Sequence, residues 1–431
     1  MKTEFLFWSG LDTIGGNIIE IRYGNDRVIF DFGRQFNPED VLLHNAKGRE
    51  KTRVSDMLRL KMIPAIDGIY NQESLRGIEL ISAEASDLNT GIFISHLHLD
   101  HMGAIDTVSS QIPVYMSEES KKLYAELIKI EEPPFKPLNE IKSFTFEEPV
   151  WIGAIKVIGY QIDHDVFGAS SIVVKTPDAS FCYSGDIRMH GQNPELNHQW
   201  MQKMQALNVD YLLMEGTTFQ PPHPEFVFKK QVSEQEIPEL MSMKLKEFSG
   251  IGFFNFYNRN IDRMKNLILA AEQSGRQIVF EPKTAQLLSA FLPKENILVL
   301  KTASTITTPY PTVTIDKINE APDSYFVQNS FENIFNLMDY HLENSVYIHS
   351  NGVPLGNYDP AYSSMLSFLE KLGITFETMA SSGHASQDAI LEMIDRIKPK
   401  TLIPWHSKNP EQMSPLDSNQ EVLRPTLNHW Y

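Results

Sequence analysis

Residues 95–103 of the chain read Ser95-His96-Leu97-His98-Leu99-Asp100-His101-Met102-Gly103. This stretch, the histidine motif, follows an apolar strand that we predict over residues 91–95. Alternate side chains of an extended strand point the same way, so His96 and His98 can share one metal ion. Where the chain then turns, Asp100 and His101 can face a second ion. Imidazole nitrogen and carboxylate oxygen are ligands for zinc, and the absence of cysteine from the motif favours an open catalytic site over a closed structural one.

Two ligands are too few for one ion, so this interpretation requires a further histidine and a carboxylate that bridges both ions. His164 follows a strand predicted over residues 156–161, and Asp186 ends the next predicted hairpin. Gly185 allows the backbone to turn sharply just before Asp186. Each residue taken alone would also suit an ordinary turn. Their position at strand ends after the histidine motif favours metal binding.

The segments around the histidine motif alternate between strands and helices and predict a layered α/β lobe. Its strands are predicted over residues 4–8, 18–22, 27–30, 91–95, 114–116, 156–161, 171–176, 180–184 and 211–214. Its helices are predicted over residues 103–109 and 118–130. The polar, irregular segment 36–79 predicts a long loop with short helices.

A second lobe follows the turn-rich stretch 220–224, where a regular alternation of strand and helix predicts a parallel sheet. Its elements are predicted over residues 235–248, 252–256, 259–273, 277–281 and 283–291. The lobe runs to about residue 373. The tail returns to the pattern of the first lobe, with segments over residues 375–379, 387–397 and 401–404.

The composition sets limits on the class of protein. A chain of 431 residues with 42% hydrophobic residues suits a soluble globular protein of two lobes. The formal net charge of −17 argues against a broad basic face that coats nucleic acid, although bound divalent cations would supply positive charge where a phosphate sits. The single cysteine, Cys182, excludes a disulfide framework and a cysteine-based zinc cluster. No apolar run suits a membrane helix or a signal peptide, so we expect a cytoplasmic protein without membrane contact.

Further motifs stand at predicted strand or helix ends: Leu213-Met214-Glu215-Gly216-Thr217, Ala380-Ser381-Ser382-Gly383-His384-Ala385-Ser386 and Ile403-Pro404-Trp405-His406-Ser407. With the histidine motif and Ser184-Gly185-Asp186, they resemble the metallo-β-lactamase superfamily and its β-CASP branch of nucleic-acid-processing nucleases, most of all the bacterial ribonuclease J family. The resemblance implies an α/β fold: a metallo-β-lactamase αββα sandwich over residues 1–217 and 374–431, with an inserted parallel α/β β-CASP domain over residues 218–373. It does not reach that family's C-terminal domain, since the sequence ends at Tyr431.

The resemblance also implies roles for individual residues. His406 would complete the second metal site, and His384 would contact the scissile phosphate or protonate the leaving oxygen. Glu215, where the ribonuclease J family usually has Asp, would orient a histidine. Asp100 would serve catalysis as well as metal binding. Substrate contacts are expected from Ser382, Ser386, Arg259 and Asn260, and Arg259 stands where the family usually has a small polar residue.

Three functional hypotheses follow. The first is a ribonuclease that cleaves phosphodiester bonds of single-stranded RNA with two divalent metal ions, for which we expect zinc, while manganese accepts similar ligands. The second is a metal-dependent phosphodiesterase acting on DNA or on a small phosphorylated molecule, and the third is a non-catalytic RNA-binding or scaffolding protein. RNA versus DNA, exonuclease versus endonuclease action and the oligomeric state stay open at this point.

Overall fold

The structure, a computed structural model, describes residues 1–35, 47–132, 134–138, 141–221, 232–415, 417 and 419–431. Parts of the predicted loop 36–79 and of the turn-rich stretch 220–224 lie outside these residues. Six strands near the start form a mixed sheet in chain order: β1 Thr3–Ser9, β2 Ile18–Tyr23, β3 Asp26–Phe30, β4 Asn89–Phe93, β5 Val114–Ser117 and β6 Ile141–Phe144. β1 to β3 pair antiparallel and β3 to β6 pair parallel.

The helices along this part of the chain are α1 Arg53–Arg59, α2 Gln72–Leu75, α3 Leu99–Met102 and α4 Glu118–Lys129. The prediction of a helix over residues 103–109 was wrong. The helical turn α3 lies within the histidine motif itself, and only a short 3-10 turn, Ile105–Thr107, follows it. Gly103 packs so closely that an added Cβ would lie 2.4 Å from the carbonyl oxygen of Leu99. The tight turn of α3 changes the direction of the chain after β4 and brings Asp100 and His101 back toward the end of that strand.

A second sheet begins with β7 Pro149–Ile152, β8 Ile155–Gln161, β9 Ser170–Lys175, β10 Ser180–Tyr183 and β11 Tyr211–Glu215. Helix α5, Pro194–Leu207, connects the last two strands. The strands from β7 to β10 are antiparallel neighbours, whereas β10 and β11 are parallel. A parallel pair needs a crossover, and α5 supplies it.

The second lobe has a parallel sheet in the order β15-β14-β13-β16-β12-β17-β18. Its strands are β12 Gly252–Phe256, β13 Gln277–Phe280, β14 Leu298–Leu300, β15 Thr312–Val313, β16 Tyr325–Gln328, β17 Val346–Ser350 and β18 Thr375–Thr378. Its helices are α6 Ile237–Leu245, α7 Ile261–Ser274, α8 Pro282–Phe291, α9 Ile315–Glu320 and α10 Pro360–Lys371. The sequence placed residues 375–379 in the returning tail, but β18 pairs with β17 and completes this sheet.

The chain then returns to the first lobe through α11 Gln387–Ile397, β19 Thr401–Trp405 and β20 Glu421–Val422. β19 pairs parallel with β11, so the second sheet has the order β20-β19-β11-β10-β9-β8-β7. The second lobe is therefore an insertion between two neighbouring strands of one sheet. The two ends of the insertion must leave and re-enter at the same edge.

The two sheets of the first lobe face each other across an apolar core. The ring centroids of Phe30 and Tyr183, one from each sheet, lie 4.8 Å apart. On the outer faces, α4 packs against the first sheet, and α5 and α11 pack against the second through buried side chains such as Trp200 and Ile394. This helix–sheet–sheet–helix order confirms the predicted αββα sandwich. Among the helices in the described ranges, none combines the length and apolar character needed to cross a bilayer.

Candidate metal centre

The candidate site residues meet because several strands end at one edge of the sandwich. β10, β11 and β19 are parallel, and β8 runs in the same direction because both β8 and β10 are antiparallel to β9. His164 lies just beyond β8, Asp186 lies just beyond β10, Glu215 ends β11 and His406 follows β19. The histidine motif follows β4 in the facing sheet and reaches the same edge. Residues up to 306 positions apart in sequence thus come into contact.

A first group of possible metal ligands consists of His96, His98, His164 and Asp186. Nδ1 of His98 lies 3.0 Å from Nε2 of His96 and 3.2 Å from Nε2 of His164. Oδ2 of Asp186 lies 3.6 Å from Nε2 of His96 and 4.0 Å from Nε2 of His164. Three imidazole nitrogens and one carboxylate oxygen therefore face a common point.

The second group consists of Asp100, His101, His406 and again Asp186. Nε2 of His101 lies 3.1 Å from Oδ2 of Asp186 and 3.6 Å from Oδ2 of Asp100. Nε2 of His406 lies 3.0 Å from the same Asp100 oxygen. Asp186 is common to both groups, which is the arrangement that a bridging carboxylate requires.

The remaining ring nitrogens of these histidines have partners that fix each ring. Nδ1 of His164 lies 2.6 Å from the carbonyl oxygen of Gly383 and, since a carbonyl only accepts, must donate. Nδ1 of His101 lies 2.7 Å from the Asp31 carboxylate, and Nδ1 of His406 lies 2.6 Å from the hydroxyl of Thr217. Such outer hydrogen bonds orient the other ring nitrogen toward the site, where it can bind a metal.

Protonation in the first group also suits metal binding. Burial, together with the nearby His101 and His164 rings, lowers the pKa of His96 well below its usual value. Burial lowers the pKa of His98 to about 4. Both rings are therefore uncharged at neutral pH, which is the form that binds a metal.

Asp186 is the residue whose surroundings most favour a bound cation. Burial on its own would raise the pKa of Asp186, but His101 and His406 outweigh it and hold that pKa well below the ordinary value. The carboxylate is therefore ionised. Its Oδ1 is buried and, in the part of the chain that the structure describes, accepts no hydrogen bond. A buried anionic oxygen that accepts no hydrogen bond is unfavourable, and a divalent cation would satisfy it. The side chains present thus fit the predicted metal-binding chemistry.

His384 and Glu215 form a pair beside these two groups. Nδ1 of His384 lies 3.1 Å from Oε1 of the fully buried Glu215 and 3.9 Å from Oδ2 of Asp186. Burial on its own would lower the pKa of His384, but the carboxylates of Glu215 and Asp186 outweigh it and raise that pKa to about 9. His384 therefore holds a proton at neutral pH. That Glu215 orients His384 for catalysis stays a prediction.

The sequence did not identify Asp31 as a site residue, although its carboxylate contacts the His101 ring. Its carboxylate accepts hydrogen bonds from the backbone N–H of Ser95 at 2.7 Å and from the hydroxyls of Ser95 and Tyr183, in addition to its contact with His101. Asp31 is fully buried and has a left-handed backbone with φ of 56°. The sequence signal for Asp31 was an aspartate directly after the apolar strand β3. Gly33 lies so close to the histidine motif that an added Cβ would overlap the carbonyl oxygen of Asp100.

The four predicted substrate contacts have local partners in the structure. Ser386 caps α11 by accepting a hydrogen bond from Ala389, and the hydroxyl of Ser382 accepts one from the backbone N–H of His384. Ser382 is exposed beside His384. Asn260 is buried and caps α7, and Arg259 is buried as well. Arg259 and Asn260 would have to become exposed to touch a substrate, so their predicted substrate contacts stay a prediction.

Comparison with known proteins agrees with the fold. Residues 65–227 match the family description "Metallo-beta-lactamase superfamily", a range that includes the histidine motif, His164, Asp186 and Glu215. The crystal structure of a protein of unknown function from Enterococcus faecalis V583 superposes with a TM-score of 0.84 at 28% identity, covering 100% of both chains. The chain has the metallo-β-lactamase fold with a β-CASP insertion. The first lobe is hereafter the metallo-β-lactamase lobe and the second is the inserted lobe.

Curated relatives narrow the likeness within this fold. The chain is 23% identical over 424 residues to ribonuclease J of Mycoplasma genitalium, an alignment that covers 94% of this chain and 68% of that protein. It is 21% identical over 419 residues to ribonuclease J of Pyrococcus abyssi, covering 93% of this chain and 88% of that protein. Both alignments extend through the inserted lobe. The chain is therefore similar to ribonuclease J over both of its lobes, as the sequence motifs predicted.

Proposed function

We propose that the chain is a metal-dependent hydrolase that cleaves phosphodiester bonds of single-stranded RNA. The observation that carries the proposal is the pair of potential metal sites that share Asp186, with the His384–Glu215 pair beside them. His96, His98 and His164 would hold one ion, and Asp100, His101 and His406 would hold the other. We propose zinc, because nitrogen and carboxylate donors suit it, and manganese accepts similar ligands.

When bound, the ions supply Lewis-acid activation of water and neutralise charge that develops on the phosphate. The residues of the chain supply orientation and a proton. Glu215 fixes the ring of His384 through Nδ1, and the protonated ring would donate a proton to the leaving oxygen. The backbone carbonyl of Gly383 orients His164, so the loop that carries the proton donor also supports one metal ligand.

RNA is the preferred substrate class because relatives that match both lobes are named ribonuclease J. The metal-dependent hydrolase is the broader part of the proposal and RNA the narrower part. If the chain binds metal but cleaves a different phosphodiester, the metal-dependent hydrolase remains correct and RNA as its substrate does not.

The test uses 5′-labelled single-stranded RNA and DNA of the same sequence, each with a 5′ monophosphate and, for RNA, also a triphosphate. We expect RNA to be cleaved when zinc or manganese is present and to remain intact with a chelator. His96→Ala should abolish cleavage, whereas His198→Ala, which alters an exposed histidine on α5, should not. Cleavage of DNA but not of RNA would show that DNA, and not RNA, is the substrate. No cleavage of either polymer with added metal, or equal cleavage by the His96→Ala variant, would overturn the proposal.

A further inference from the structure

Arg259 belongs to the inserted lobe but contacts the histidine motif of the other lobe. It lies in the connection between β12 and α7, and only 3% of it is exposed. Its Nη1 donates a hydrogen bond to the carbonyl oxygen of Leu97 at 3.1 Å. Leu97 stands between His96 and His98, so this hydrogen bond fixes the backbone that carries two possible ligands of one ion.

The backbone of Arg259 contacts the other ligand-bearing loop as well. Its carbonyl oxygen accepts a hydrogen bond from the N–H of Phe167 at 3.3 Å. Phe167 lies three residues after His164, which belongs to the same group of ligands as His96 and His98. One residue of the inserted lobe thus connects the two loops that must converge on that ion.

The guanidinium of Arg259 is held between two aromatic rings. Its Cζ lies 4.4 Å from the ring centroid of Phe135 and 4.8 Å from that of Tyr257, and Nη1 also hydrogen-bonds the Tyr257 hydroxyl. The Tyr257 ring in turn lies 5.3 Å from the ring of His98. Within the described ranges, Arg259 has no carboxylate within ion-pair distance. Its buried charge is stabilised by the two rings and by the Leu97 carbonyl.

We propose that Arg259 is a positioning residue that fixes His96 and His98 relative to His164, so that the geometry of this metal site depends on the docking of the inserted lobe. The inference rests on the metal binding of the proposed function. It assigns to the inserted lobe a role in shaping the ligand set.

The test compares Arg259→Met with Arg276→Met in the full chain. Arg276 is an equally suitable buried arginine of the inserted lobe, because it donates to the carbonyl oxygens of Gly250, Tyr325, Leu245 and Phe248 within that lobe. Replacing Arg276 should destabilise the inserted lobe without removing a hydrogen bond to the histidine motif. Arg259→Lys keeps a charge and one donor but loses the planar stacking, and it serves if the Met variant does not fold.

Each protein is stripped of metal and titrated with Co²⁺, with the visible absorption of the bound ion reporting ligand geometry. For Arg259→Met we expect at least one Co²⁺ equivalent to bind about 10- to 100-fold more weakly, with a changed spectrum, as is typical when support of a metal ligand is lost. Arg259→Lys should lie between. Arg276→Met should bind both equivalents with unchanged affinity and spectrum, although its thermal unfolding temperature falls.

The outcomes separate the two proposals. If the unmodified chain binds no Co²⁺, the proposed function fails. If the unmodified chain binds Co²⁺ and Arg259→Met, or Arg259→Lys where the Met variant does not fold, matches it in affinity and spectrum, the positioning role is overturned. An equal change in Arg276→Met would also overturn it, since the effect would then be general destabilisation.

Discussion

Glu215 and His384 show how one residue controls the chemistry of another. They are 169 positions apart in sequence, yet a single hydrogen bond joins them. Glu215 is fully buried, so its charge requires a partner, and His384 supplies it. Because the bond uses Nδ1, the ring cannot rotate freely and Nε2 faces away from Glu215. His384 belongs to neither of the two four-residue groups, but it forms a third group of possible metal ligands with Asp186 and Glu215.

Replacing His384 tests acid catalysis without removing a member of either four-residue group. His384→Ala should retain the bound metal and slow RNA cleavage by roughly 10²- to 10⁴-fold, the usual effect of losing a general acid. The defect should shrink with a nitrophenyl phosphodiester, because that leaving group needs no proton. Metal content and the two rates are the measurements. Loss of an ion, or equal slowing on both substrates, would make His384 a ligand or a phosphate contact instead.

At the scale of the element, the start of α7 combines a favourable cap with an unfavourable carboxylate. Asn260 caps the helix by accepting a hydrogen bond from the backbone N–H of Arg263 at 2.8 Å. Asp262 stands in the first turn, where a negative charge normally stabilises a helix. Here burial, with the carboxylates of Asp163 and Glu234 nearby, raises the pKa of Asp262 to about 6 despite the attraction of Arg188.

The raised pKa predicts a stability that depends on pH. The folded-state pKa of Asp262 lies above the unfolded value of 3.8, so the ionised form disfavours folding. This destabilisation of the folded state is absent below about pH 4 and fully present above about pH 6. Asp262→Asn should therefore raise the free energy of unfolding by roughly 1–2 kcal/mol at pH 7 and by much less at pH 4.

Urea unfolding at the two pH values, with chelator present throughout, measures this difference. Asp316→Asn is a matched control, because Asp316 occupies the same second position of helix α9 and is exposed. That variant should not gain stability at pH 7. A gain for Asp262→Asn that is equal at pH 4 and pH 7 would contradict the effect of ionisation.

At the scale of the whole molecule, a buried ion cluster joins the two lobes. Glu234, at the start of the inserted lobe, lies 3.1 Å from Arg188 of the metallo-β-lactamase lobe and 2.6 Å from Arg263 on α7. All three side chains are at most 1% exposed. Arg188 also pairs with Asp163 at 3.0 Å, next to His164. Together with Arg259, this cluster places the insertion against the loops of the candidate site.

Removing the charge of Glu234 should therefore destabilise the whole chain. Glu234→Gln leaves Arg263 with no compensating carboxylate among its described partners, and breaking a buried pair typically lowers the free energy of unfolding by about 3–5 kcal/mol. The exposed pair of Glu392 and Arg396 offers the control, and Glu392→Gln should change that free energy by less than about 0.5 kcal/mol. Chemical unfolding measures both. Similar small changes in the two variants would show that the cluster contributes little to holding the lobes together.

Local sequence determined the strands and the positions of the histidine motif, His164 and Asp186 at their ends, because side-chain alternation and turn residues act over a few positions. The need of two ions for further ligands, together with the resemblance to the metallo-β-lactamase superfamily, then made their convergence predictable.

Tertiary structure alone decided which sheet takes residues 375–378, since that depends on pairing with β17, and where α3 forms. It also decided that Asp31 supports His101 and that Arg259 is buried beneath Leu97. These outcomes depend on side-chain direction and burial between distant segments, and neither is encoded in the spacing of nearby residues.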